Sequence, residues 1–427
     1  MDHQTGHALN VRFEGHAEAS YLGFVAGVLS ISIVLTGCAT TNSPDADPAA
    51  RAHARLERLV SSGEVPGVQY QVVGADGVLF SEAAGVRDVA SGAPMEAATL
   101  QMAYSTTKIV TAIAVLQLVE QGRMGLDAPL QRYFPDQPYG EGVTIRQLLA
   151  HTSGVPAPMP LDWFAAEGQR FDRDHELGRL LAKNPKLRRA PGEAYAYTNL
   201  GYWLLEKAIE GASGQDYAAY VEEHVFRPLA VTDAAARFAP EGPGELAAGH
   251  ARRFRPMTGV LRLMTPSSYW SGAYGSWHRS ARVVPYGRAY GGLYVTADAL
   301  GRVLRDLLAE RSVLLSPGSK AALFARQPTA NGKGAGALGW VIGQVDGEPY
   351  FGKQGGGLGF HGNLRIYPAR GLATVLLANR TEISAGPIDA RSDALDAAFL
   401  RRPAVNLAYA LSGASSTPRA LPSSRPR

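Results

Sequence analysis

The chain has 427 residues, 46% of them hydrophobic and 19% charged, with 48 glycines, 27 prolines and one cysteine. That balance fits two or three domain-sized units, or one fold with a large insertion, and excludes a disordered chain, a collagen and a multi-span membrane protein. The single cysteine excludes an intramolecular disulfide, and the net +4 traces to a basic tail of five arginines after Asp396, so no nucleic-acid-binding face is encoded.

In chain order, residues 21–35 come first, an apolar run of fifteen. A membrane-crossing helix needs about 20 such residues, so this length fits the core of a signal peptide. The run ends in Leu35-Thr36-Gly37-Cys38, which resembles the lipobox of a bacterial lipoprotein, whose cysteine is acylated and becomes the mature N-terminus. The resemblance implies a signal peptide over residues 1–37, lipidation at Cys38 and a polar tether over 38–50 that contains Asn42-Ser43-Pro44-Asp45. It also implies a lipid anchor in a bacterial membrane, with the body facing the periplasm or the cell surface. Asp2, Glu14 and Glu18 against Arg12 make the segment ahead of the run acidic, where a leader is ordinarily basic.

Two β segments open the body, at 68–73 and 78–82, joined across Gly74-Ala75-Asp76-Gly77, a hairpin signal. Residues 108–121 are apolar on most faces and close on Gly122, which predicts a buried central helix with a glycine cap. Shorter amphipathic helices are predicted at 199–210, 217–226 and 297–310. Strands follow at 338–345, 350–353, 364–367 and 372–377, then a helix at 390–400. Residues 403–427 are rich in Ser, Pro, Ala and Arg and read as a disordered basic tail. Strands at both ends with helices between predict an α/β (α+β) fold: one antiparallel sheet flanked by helices, with a helical lobe inserted.

Three short motifs carry chemistry. Ser105-Thr106-Thr107-Lys108 opens the central helix, and i, i+3 spacing puts hydroxyl and amine on one face. A serine alone is a poor nucleophile, but a desolvated neutral amine beside it can take its proton. The helix start also offers unpaired N–H groups to a developing oxyanion. Tyr197-Thr198-Asn199 precedes another helix; a phenol becomes a usable base if two ammonium groups lie near it, and the Asn amide can face the same cavity. Lys353-Gln354-Gly355 ends a strand and runs into Gly356-Gly357, where a substrate can approach the backbone closely.

Each motif is weak alone. Together and in this order they resemble the serine β-lactamase and penicillin-binding-protein superfamily, in its class C β-lactamase, DD-peptidase and family VIII esterase branch. The resemblance runs from Val65 to about Leu400. It includes Gly125-Leu126-Asp127, Thr144-Ile145-Arg146-Gln147-Leu148-Leu149 before His151-Thr152-Ser153-Gly154, Pro191-Gly192, and Gly291-Gly292-Leu293. It implies a β-lactamase/transpeptidase-like domain over 51–402, with an α/β lobe of about 51–130 plus 285–402, a helical lobe of about 131–284, and the site between them. By the same resemblance Ser105 is the acylated nucleophile and Lys108 its proton partner. Tyr197 passes the proton to the leaving group and later activates water. Asn199 holds the carbonyl side of the substrate, Lys353 attracts anionic substrate and keeps the Tyr197 proton labile, and Gly355 and Gly356 border the substrate. The oxyanion hole maps to the backbone N–H groups of Ser105 and Gly356. Gln354 is a departure: many members that bind β-lactams carry a hydroxyl residue there.

Competing patterns are weaker. Gly357-x-Gly359-x-x-Gly362 and Gly334-x-Gly336-x-x-Gly339 match a dinucleotide fingerprint, but each leads into a predicted strand, where no helix N-terminus can hold a pyrophosphate. Gly-x-Ser-x-Gly is absent. His151 reads as a structural turn residue, His361 as a strand-end histidine, and Trp163, Tyr269, Trp270 and Trp277 mostly as packing in the inserted lobe. The expectation is therefore a serine hydrolase without cofactor or metal, acting on a small-molecule ester, peptide or β-lactam through an acyl-serine. It is carboxylesterase-like or DD-peptidase-like, with a class C-type β-lactamase or a non-catalytic penicillin-binding sensor as alternatives.

Overall fold

Helix α1, Pro48–Ser61, begins three residues inside the stretch read as tether, because Asp47 caps it with its carboxylate on the Ala49 N–H and a proline occupies the first turn. The computed structural model describes residues 47–400, apart from 243, 335 and 383–386. The expected signal peptide, Cys38, the tether up to residue 46 and the basic tail lie outside the described residues.

Strands β1, Gly67–Gly74, and β2, Gly77–Asp88, form the expected hairpin, with Gly74 opposite Gly77 across a two-residue turn. The short β3, Ala93–Pro94, follows. The chain then leaves the sheet for helices α2, Lys108–Glu120, α3, Asn199–Ser213, α4, Pro256–Met264, and α5, Ala297–Leu308. It returns as β4, Val341–Val345, β5, Glu348–Gly356, β6, His361–Tyr367, and β7, Leu372–Ala378, and ends in α6, Pro387–Leu400. The seven strands form one sheet in the order β4-β5-β6-β7-β1-β2-β3. Within it β1 lies antiparallel between β2 and β7, with Val72 opposite both Phe80 and Thr374. Strands from both ends of the described residues thus build one antiparallel sheet around a helical insertion, as the pattern of predicted elements requires.

Every residue of β1 is buried because helices cover both faces. Alternation sends Val68, Tyr70 and Val72 into a layer with Leu56, Leu59, Leu395 and Phe399 of α1 and α6. Val73, with Val375 and Leu377, faces Leu300, Val303 and Leu304 of α5 on the other side. A buried polar knot pins α6 to the sheet. Asp396 accepts hydrogen bonds from Tyr70 at 2.8 Å, Tyr367 at 2.6 Å and Thr374 at 3.2 Å, and pairs with Arg365 at 2.8 Å.

The central helix α2 has eleven consecutive buried residues, Lys108 to Leu118, which is why its sequence is apolar all round. Gly122, at φ +67°, ends it by donating to Val119 O while Arg123 donates to Leu118 O, the two bonds of a Schellman cap. The helix predicted over 217–226 is α-helical only at Tyr217–Val221. It widens to a π-helical turn at Glu222–Phe226 and tightens to 3₁₀ at Arg227–Leu229, where Pro228 has no N–H to give. Helices α1 and α4 and the hairpin Trp270–Tyr274/Trp277–Ser280 were not foreseen from sequence.

Candidate active site

Ser105 lies in a single 3₁₀ turn, Tyr104–Thr107, that runs directly into α2. The residue before it, Tyr104, has φ +45°, a left-handed conformation that costs a side-chain-bearing residue about 1–3 kcal/mol. The surroundings impose it. The Tyr104 hydroxyl donates to Leu358 O at 2.9 Å, and its ring fills the space a Cβ on Gly357 would need, 2.4 Å away. Strand β5 lies equally tightly on the Ser105 turn: a Cβ on Gly355 would sit 2.2 Å from Ala103 O and 3.0 Å from Ser105 N. Only glycine permits that approach.

Ser105 and Lys108 from one segment and Tyr197 and Asn199 from another converge. Ser105 Oγ is 2.6 Å from the Tyr197 hydroxyl and 3.1 Å from Lys108 Nζ. Lys108, fully buried, also donates to Asn199 Oδ1 at 2.8 Å and to Tyr290 O at 2.6 Å. The Tyr197 hydroxyl is 3.3 Å from Asn199 Oδ1. Thr198 between them caps α3, its hydroxyl accepting the Gly201 N–H, so that Tyr197 and Asn199 leave the helix start toward one cavity. Lys353 approaches from β5, with Nζ 5.1 Å from the centre of the Tyr197 ring; Lys108 Nζ is 5.0 Å from the same centre.

The electrostatics differ from the sequence expectation in one respect. Two ammonium groups were expected to bring the Tyr197 phenol down. Instead both amines lie over its ring face and are themselves driven toward neutrality. Burial holds Lys108 well below the ordinary lysine range, and the charge of Lys353 pushes the same way. Burial alone brings Lys353 down to about 7. The Tyr197 phenol is pushed up by burial, an effect opposed by its hydrogen bond with Ser105 and moderated by the 37% exposure of the residue. Burial thus favours a neutral amine at Lys108 and a protonated phenol at Tyr197.

His151 is the turn residue it was expected to be, at φ +57°. Its ring also lies beneath Tyr197, 4.5 Å between centres, and its Nδ1 accepts the Thr198 N–H at 3.3 Å. Burial, then the charges of Lys353 and Lys108, hold it well below its usual range, so it is a neutral support for the tyrosine. His361 opens β6, with Nε2 3.2 Å from Asp389, and it borders the site. Trp163 packs against Trp203 and Tyr290, Trp277 against His250, and Trp270 against His278. Tyr269 alone of the four lines a cavity at Ser105.

Two cavities open on Ser105. One, about 320 Å³, is polar and bordered by Tyr195, Tyr197, Asn199, Lys353, Gln354, Gly356, His361 and Glu382. The other, about 260 Å³, is largely apolar and bounded by Tyr104, α4 and residues near Met159. Sequence reasoning missed Tyr290, which acts through a backbone carbonyl that no residue type signals, and missed the wall built by α4. Among the described residues, His53, Glu57 and Glu82 bring potential metal-ligand atoms within 4.8 Å of one another, but none of them borders either cavity.

The model of the family described as Beta-lactamase matches residues 52–398. The chain belongs to this family. Penicillin-binding protein 4* of Bacillus subtilis (strain 168) is 32% identical over 213 residues, 48% of this chain and 46% of that protein. The chain spans less than half the length of the curated relatives it matches. A D-amino acid amidase from Ochrobactrum anthropi SV3, solved with D-phenylalanine, is similar with a TM-score of 0.71 and 19% identity, over 83% of this chain and 99% of that one. EstCE1, a hydrolase with promiscuous acyltransferase activity, is similar with a TM-score of 0.64 and 19% identity, over 82% and 98%. At these identities the likeness establishes the β-lactamase/transpeptidase-like fold.

Proposed function

We propose that the protein is a serine hydrolase that cleaves an ester or amide through an acyl-serine intermediate, carboxylesterase-like or DD-peptidase-like in its substrates. The observation that carries this reading is the environment of Lys108. A neutral amine there gives its two N–H bonds to Asn199 Oδ1 and Tyr290 O and turns its lone pair to the Ser105 hydroxyl, 3.1 Å away. Ser105 Oγ then attacks the carbonyl carbon as its proton passes to Lys108, and the N–H groups of Ser105 and Gly356 receive the developing oxyanion. Breaking the C–O or C–N bond releases a leaving group that takes a proton from the Tyr197 phenol, and Lys108 passes the proton it took from Ser105 on to the phenolate, so the net proton moved is the one Ser105 gave up. Water then attacks the acyl-serine, returns a proton through the same groups and frees Ser105. Family membership among hydrolases, and structural likeness to an amidase and EstCE1, support the reading.

The exposed Gln354 in the polar cavity, where many family members that bind β-lactams carry a hydroxyl, favours esters and amides over β-lactams. Rates on p-nitrophenyl butyrate, a D-alanyl-D-alanine peptide and nitrocefin, each beside Ser105→Ala, test the proposal. Ser105-dependent cleavage of the ester or the peptide is expected to exceed that of nitrocefin. Nitrocefin as the best substrate would reassign the protein as a β-lactamase, and an adduct without turnover would reassign it as a sensor. We further propose attachment to a bacterial membrane through Cys38, supported by the apolar run that precedes it. Fatty-acid labelling that survives Cys38→Ser would overturn that attachment.

A further inference from the structure

We propose that the acyl half of the substrate is an apolar group, an aryl-bearing or medium-chain acyl, seated in the cavity that α4 walls beside Ser105. The inference rests on the serine-hydrolase reading above and names its substrate class.

The two cavities assign the two halves of the substrate. Both reach Ser105, Asn199 and Gly356, but Tyr197, Lys353 and Gln354 border only the polar one. A leaving group must depart beside the group that gives it a proton, and that group is the Tyr197 phenol, 2.6 Å from Ser105 Oγ. The leaving group therefore occupies the polar cavity. The acyl group, on the other side of the carbonyl carbon, extends into the second.

That second cavity is built for an apolar occupant. On α4, Met257, Val260, Leu261 and Met264 follow i, i+3, i+4, i+7 spacing and share one face. Such a stripe ordinarily packs into a core, yet Thr258 is the only buried residue of α4, and Met257 and Val260 remain 63% and 47% exposed. The stripe instead lines the cavity, opposite Leu161 and Phe164, with Gly357 and Leu358 also bordering it. A space of about 260 Å³ exceeds the roughly 150 Å³ of an apolar cavity that takes up benzene. It holds a phenyl-bearing group or an acyl chain of roughly six to ten carbons. The sequence 256–264 contains no acid, and its one charged side chain, Arg262, does not border the cavity.

Hydrolysis of p-nitrophenyl octanoate and p-nitrophenyl acetate by the full chain, by Val260→Asp and by Ser105→Ala tests the proposal. Each methylene moved out of water adds a factor of roughly three to four, so kcat/KM for octanoate is expected to exceed that for acetate by at least about tenfold. The octanoate-to-acetate ratio is expected to fall at least about tenfold in Val260→Asp. Leu261→Gln carries the same test if the first variant does not fold. A ratio near one in the unmodified protein, or a ratio that the α4 substitutions leave alone, overturns the acyl pocket. Cleavage of both esters that survives Ser105→Ala overturns the serine-hydrolase reading beneath it, so the two failures are distinguishable.

Discussion

Replacing Lys353 with methionine is expected to stabilise the protein, and to do so in a pH-dependent way. Lys353 is only 4% exposed, and burial brings its amine from 10.5 to about 7. At roughly 1.4 kcal/mol per pH unit, carrying the charged amine into the fold costs about 5 kcal/mol. Between these two values the unfolded chain binds more protons than the folded one, so stability rises with pH through the window. The penalty is complete below about pH 7 and gone above about pH 10.5. Methionine is of similar length and carries no charge. It removes most of the penalty but loses the contact of the ammonium with the Tyr197 ring, worth about 0.5–2 kcal/mol. The Lys353→Met variant should be more stable than the unmodified protein by about 3 kcal/mol at pH 7, and the difference should shrink toward zero near pH 10. Guanidinium unfolding of both proteins at several pH values across the window reads this directly. A variant no more stable at neutral pH, or a difference that does not change with pH, would refute the idea that Lys353 is a desolvated amine.

Three further outcomes follow from the same geometry. Tyr197→Phe removes the hydroxyl 2.6 Å from Ser105 Oγ and should lower kcat by about 10²–10⁴-fold with little change in thermal midpoint; a near-normal rate would reassign the proton donor. The charge of Lys353 helps to hold Lys108 down, so in Lys353→Met the Lys108 amine becomes harder to deprotonate, and the acid limb of kcat/KM should move to higher pH; an unmoved or lowered limb would deny that Lys108 is the base. Asp396→Ala leaves Arg365 without its buried partner and should cost about 3–5 kcal/mol in chemical denaturation, whereas a loss under about 1 kcal/mol would show that the knot does not hold α6.

That Ser105, Lys108, Tyr197 and Asn199 come together was legible in the sequence from side-chain type and spacing. Ser105 and Lys108 share a face because a helix begins there, and Thr198 caps α3 so that Tyr197 and Asn199 flank one helix start. Gly355 and Gly357 were read as letting substrate approach the strand; the structure instead packs the Ser105 turn against Gly355 and the Tyr104 ring against Gly357, and Gly355 borders neither cavity. Other features were not legible. Tyr290 contributes a carbonyl, which every residue owns. The left-handed Tyr104 follows from tertiary contacts that no local pattern encodes. Burial, set by the whole fold, reversed the expected direction for the Tyr197 phenol. The 257, 260, 261, 264 stripe of α4 was present as a helical period, but its Gly259 and its exposure in the fold disguise it. Strand β2 runs to Asp88 because backbone pairing with β1 and then β3 continues where its side chains no longer alternate cleanly.

The central claim is a covalent acyl-enzyme at Ser105, and acid-quenched intact-mass spectrometry during turnover of an activated short-chain ester tests it most directly. The account predicts a transient mass increase equal to the acyl group, mapped by peptide digestion to Ser105 and absent from Ser105→Ala, which should also lose turnover. An acyl group mapped to another residue, or turnover that persists in Ser105→Ala, would contradict it.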